Sequence, residues 1–113
     1  MKRRSDAGPV RDMRDHAREA VETFQAASAD ALENDRTLDR ALRYLVLTVG
    51  EAATRVSPEF REAHPDIPWR NVIGMRNVLA HQYDAIERDR LHDTVAVHLP
   101  KLVKTLGAIL GEE

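Results

Sequence analysis

The chain has 113 residues, 42% apolar and 32% charged, with a net charge of −2. That suffices for one core and one domain, and it is not the strongly basic balance of a protein that coats nucleic acid. The absence of cysteine excludes a disulfide framework and thiolate metal sites, and no run approaches the roughly 18 apolar residues of a membrane span.

Aromatic residues make up only 4%, so the core must come from Leu, Val, Ile and Ala, a mixture that favours helix over sheet. Lys2, Arg3 and Arg4 are not followed by an apolar run, so no secretory signal is expected and the chain reads as cytoplasmic. Of the 17 basic residues only Lys2, Lys101 and Lys104 are lysines. Phosphate recognition would use such arginines, but codon bias is the plainer and favoured explanation of the excess.

Residues 1–9 read as a disordered basic tail, with Ser5, Gly8 and Pro9 and no periodicity. The helical domain is expected over residues 10–113. From Val10, apolar positions Met13, Ala17, Val21, Phe24, Ala27 and Ala31 recur every three or four residues and predict one amphipathic helix. Asn34, Asp35 and Arg36 supply a turn, with Asp35 or Thr37 as cap. A second helix, residues 37–56, carries the stripe Leu38, Ala41, Leu42, Leu45, Val49, Ala52 and Val56. Tyr44, Val46 and Leu47 add apolar surface on its other faces, so this helix is expected at or near a homodimer interface.

Ser57 and Pro58 predict a short helix with a serine cap and a proline in its first turn. Pro68 opens a third main helix, from Trp69 to His81 or Tyr83. A last helix carries Leu91, Val95, Leu99, Leu102, Leu106, Ile109 and Leu110, and its stripe keeps phase across Pro100, which predicts a kink. The expected fold is all-α: an antiparallel four-helix bundle with an extra short helix and a kinked last helix.

The richest chemistry lies in the octet Arg76-Asn77-Val78-Leu79-Ala80-His81-Gln82-Tyr83. An arginine can hold a phosphate, a histidine can move a proton near neutral pH, and a tyrosine offers a modifiable hydroxyl. Each also has a plain structural reading: an ion-pair partner, a complement to the helix dipole, a core-edge ring. On an ideal helix Arg76 and His81 lie about 140° apart. They meet on one ligand only if the helix unwinds near His81 or a second subunit completes the pocket. Glu51 is the natural counter-ion for Arg76. His16, His64, His92 and His98 lack ligand spacing, so no metal or other cofactor is expected.

The octet resembles the R-(four residues)-H-x-Y signature of the HEPN superfamily, specifically the HepT-like toxins paired with MNT nucleotidyltransferase antitoxins. The stretch Val49-Gly50-Glu51-Ala52-Ala53 resembles that family's I-G-E-A-A block. Residues Ile67-Pro68-Trp69-Arg70-Asn71-Val72-Ile73-Gly74-Met75-Arg76-Asn77 resemble its I-P-W-x-x-I-x-G-M-R-N block, and Leu99-Pro100-Lys101-Leu102 its late L-P-x-L. The four blocks occur in order, and the resemblance covers about Val10 to Leu110.

The resemblance implies an all-helical homodimer whose motifs line a shared cleft and cleave RNA without a metal. It makes Arg76 and His81 the catalytic pair, Asn77 and Glu51 their support, and Tyr83 the residue to which a partner nucleotidyltransferase transfers AMP. Two other functions remain open on the residues alone: a non-catalytic helical homodimer that binds a nucleotide or the partner enzyme, and a plain structural bundle.

Overall fold

The computed structural model describes residues 5–111, and every regular element among them is helical. Helix α1 spans Ala7–Ala26, α2 Ala29–Asn34, α3 Arg36–Thr54, α4 Pro58–Ala63 and α5 Trp69–His81. Helix α6 (Arg88–Asp93) runs through a π-helical segment, Thr94–His98, into α7 (Leu99–Ile109).

Helix α3 is the centre of the bundle. It packs against α1 on one side and α5 on the other, while α1 also packs against the π segment and α7. Its buried residues Leu42, Leu45, Val46, Val49, Ala52 and Ala53 join Val10, Met13, Ala17 and Ala20 of α1 and Leu91, Val95, Leu99, Leu102 and Leu106 of the C-terminal arm. Val46, expected on an outer face of its helix, is therefore a core residue. Its position falls about 40° from Leu42, inside the arc that two flanking helices cover. Tyr44 is 58% exposed and Leu47 half-buried, as an outer face requires.

Caps set the helix starts. Asp35 accepts hydrogen bonds from the amides of Thr37 and Leu38, which opens α3. Ser57 accepts from the Phe60 amide, with Pro58 in the first turn of α4. The Asp6 carboxylate accepts from both the amide and the hydroxyl of Ser57, tying the start of α1 to the start of α4.

Three boundaries differ from the sequence expectation. Ala7, Gly8 and Pro9, expected in the tail over residues 1–9, form the first turn of α1, and residues 1–4 of that expectation lie outside the described residues. Pro9 is tolerated there because the first amides of a helix have no intrahelical acceptor. The single stripe from Val10 to Ala31 breaks after Ala26, where Ser28 turns extended and its hydroxyl caps α2 through the Ala31 amide. The kink expected at Pro100 is the π segment just before it. There the Leu99 amide bonds the Thr94 carbonyl, five residues back, where the ladder meets a residue that has no N–H to give.

Among the described residues no helix is long and apolar enough to cross a membrane.

Candidate functional site

Helices α3 and α5 meet at Gly50. A methyl group there would overlap the Arg76 side chain and crowd the Val72 carbonyl oxygen. A glycine is what lets α5 lie this close to α3, and the close approach brings Arg76 to the next residue of α3, Glu51. The Arg76 Nε donates to Glu51 Oε1 at 2.7 Å, and its Nη1 donates to Asn77 Oδ1 at 2.9 Å. The ion pair expected from sequence is thus formed. Arg76 and Glu51 keep 30% and 45% side-chain exposure, so the pair orients the guanidinium more than it stabilises the fold. The remaining Nη1 hydrogen and both Nη2 hydrogens have no partner among the described residues. Those donors can still take a phosphate.

His81 closes α5. The helix does not unwind before it: the Gln82 amide still bonds the Val78 carbonyl, and the backbone leaves helical geometry at Gln82. His81 is exposed and hydrogen-bonds to no described residue. The helix keeps its regular turn from Arg76 to His81, so the two side chains stay on different sides of α5 within one chain.

Tyr83 sits in the segment after α5. Its hydroxyl donates to the Arg40 carbonyl at 2.6 Å, so the ring leans on α3 instead of joining Arg76. Partial burial pushes the phenol above its ordinary range; the Asp39 carboxylate adds to the effect, while Arg43 and Arg40 oppose it.

Sequence reasoning missed Arg43. This buried residue donates from Nε to Asp39 Oδ2 at 2.8 Å and from Nη1 to the carbonyls of Tyr83 and Ile86, at 3.2 and 2.6 Å. It is the pin that holds the segment carrying Tyr83 against α3. The available signal was an arginine set among Leu42, Leu45 and Val46, four residues after an aspartate.

A groove of about 460 Å³ lies between α5, α3 and the C-terminal arm, floored by Val46, Val49, Met75 and Leu102. None of Arg76, Asn77, His81 or Tyr83 lines it.

Arg76 fixed between α3 and α5, with a histidine five residues on at the end of α5, is the motif arrangement of the all-helical HEPN class. A family model described as ribonuclease HepT-like matches residues 13–109. The chain belongs to the HepT-like ribonuclease family. It is 31% identical over 93 residues to a protein of Caldanaerobacter subterraneus subsp. tengcongensis named "Putative RNase", covering 82% of this chain and 83% of that one. It is 27% identical over 98 residues to a "Putative RNase" of Methanocaldococcus jannaschii, covering 87% and 90%. It is also 30% identical over 88 residues to the "Probable ribonuclease HepT" of Thermococcus cleftensis, covering 74% and 80%. No solved structure matches the chain.

Proposed function

We propose that the protein is a metal-independent endoribonuclease, the toxin of a toxin–antitoxin pair, and that it works as a homodimer through or near α3. The observation that carries this reading is Arg76, held by Glu51 and Asn77 with guanidinium donors to spare, on the same helix as a histidine that has no hydrogen-bond partner among the described residues. The regular end of α5 leaves a second copy as the way to bring Arg76 and His81 to one phosphate. In a two-fold pair that sets the arginine of one protomer against the histidine of the other, symmetry repeats the arrangement and makes two such sites.

The chemistry needs no bound ion. One His81 takes the proton of the ribose 2′-hydroxyl, and that oxygen bonds to phosphorus. Arg76 stabilises the extra negative charge on the pentacoordinate phosphate. The 5′-oxygen leaves with a proton from water, and the protonated His81 gives its own proton back to solvent. Dependence on the 2′-hydroxyl restricts cleavage to RNA.

Control by a nucleotidyltransferase antitoxin acts at Tyr83. The tyrosyl oxygen bonds the α-phosphorus of a nucleoside triphosphate, pyrophosphate departs and the phenolic proton goes to the transferase. The hydroxyl must first leave the Arg40 carbonyl. The added AMP then blocks the edge of the Arg76 site by bulk and by competing for cations.

The test is purified protein with total cellular RNA in excess EDTA. Cleavage is expected, with His81→Ala at least roughly a hundredfold slower. Intact RNA, or equal cleavage by the variant, would contradict the reading. Intact mass after co-expression with the transferase should show AMP on Tyr83; AMP elsewhere would overturn that assignment.

A further inference from the structure

The chain has only five aromatic side chains, and packing accounts for most of them. Phe24 sits edge-on to His92, and Phe60 packs between His64 and Trp69. Tyr83 is held by its hydroxyl. Tyr44 is different. It lies mid-helix on α3, is 58% exposed, and hydrogen-bonds to no described residue. Within one protomer neither packing nor satisfaction of its hydroxyl accounts for a large ring there.

Its neighbours are informative. Tyr44, Leu47 and Glu51 follow each other at helical spacing on one face, and Glu51 is the carboxylate that holds Arg76. The ring therefore stands about two turns, roughly 10 Å, along α3 from that carboxylate. One turn the other way is exposed Arg40, whose carbonyl receives the Tyr83 hydroxyl. Both tyrosines of the chain thus flank Arg40 on the face that leads to Arg76. An exposed ring beside guanidinium groups is what an unpaired nucleic-acid strand recognises: cations take its phosphates and the ring takes a splayed base. A duplex keeps its bases stacked and offers none to the ring.

We propose that Tyr44 is a base-stacking residue that selects unpaired RNA and positions it across α3 toward Arg76. The inference rests on the ribonuclease reading for its purpose, and its test is separate. Labelled 2′-O-methyl oligonucleotides, which offer no free 2′-hydroxyl for attack, serve as probes, single-stranded and as duplex. Wild type and the variants Tyr44→Phe, Tyr44→Leu and Tyr44→Trp are titrated by fluorescence anisotropy, with the association state of each measured by light scattering.

The single strand is expected to bind at least about tenfold tighter than the duplex. Tyr44→Phe should retain this affinity, and Tyr44→Leu should lose roughly five- to a hundredfold. The indole of Tyr44→Trp should be quenched by the bound strand. Failure of the wild type to bind the single strand, equal affinity for duplex, or undiminished binding by Tyr44→Leu would overturn the proposal. So would a Tyr44→Leu protein whose protomers fall apart, because the face would then be a contact between copies.

Cleavage measured in parallel separates the two readings. Binding through Tyr44 with no RNA cleavage keeps the stacking residue and removes the ribonuclease. Cleavage with KM and kcat unchanged in Tyr44→Leu does the reverse.

Discussion

Arg43 shows how one side chain outside the motif governs the site. Its guanidinium ties Asp39 of α3 to the carbonyls of Tyr83 and Ile86, so the backbone after α5 has a fixed course. Arg43→Leu is expected to destabilise the fold by about 2–3 kcal/mol, since hydrogen bonds to a buried charge are lost. Hydrogen exchange should rise at the amides of residues 83–86 and stay unchanged in α1. Uniform loss of protection would show that Arg43 acts only globally. Tyr83 contributes in the opposite sense at high pH. Its phenol is raised in the folded state, so the unfolded chain ionises first and stability falls as pH climbs above about 10. Urea midpoints of Tyr83→Phe should decline less than wild type over that range; equal declines would contradict the assignment. At this scale the sequence was informative where charge and spacing spoke together. Glu51 and Arg76 could be paired because a lone carboxylate sat in an apolar stretch. Arg43 escaped because a buried arginine looks like a surface one until its carbonyl partners, some forty residues away, are known.

At the level of elements, the α3–α5 seam is set by Gly50. Gly50→Ala is expected to cost about 1–3 kcal/mol, because Arg76 and the α5 backbone must move aside for the methyl group. It should also slow RNA cleavage by displacing Arg76. A variant as stable and as active as wild type would mean that the helices yield freely. The Asp35 cap is a purely local matter. Asp35→Ala should cost about 1 kcal/mol, read as a melting temperature lower by roughly 4 °C, with cleavage unchanged at temperatures where the protein is folded. Caps with a proline beside them, such as Ser57-Pro58, were readable as sequence. The break between α1 and α2 was not, because Ala27 and Ala31 continue the apolar stripe and neither Gly nor Pro marks the turn. Only Ser28, which caps α2, signals it. The π segment was partly readable: Pro100 announced a disturbance, but the extra residue that widens the turn lies upstream, among ordinary side chains.

The described residues together measure 51 × 32 × 20 Å, so the thin dimension of the fold is about two helix diameters. In such a slab the central helix can be covered on two sides and still present a third to solvent, which is how α3 buries Val46 while exposing Tyr44. The expectation that α3 is apolar nearly all round therefore dissolves partly into ordinary packing. What remains is a face made of Tyr44, half-buried Leu47 and Glu51 beside Arg76. The fold class followed from composition and periodicity, and the catalytic candidates from the motif. The separation of Arg76 from His81 was foreseeable on a helical wheel, and the regular end of α5 keeps it.

The central claim is that one site is built from Arg76 of one protomer and His81 of its partner. Arg76→Ala and His81→Ala chains carrying different tags can be co-expressed and the mixed species purified beside each variant alone. The account predicts two inactive homodimers and a purified mixed dimer with about half of wild-type cleavage, because it rebuilds one of its two sites. A mixed species as inactive as its parents, with both chains folded and paired, would contradict it.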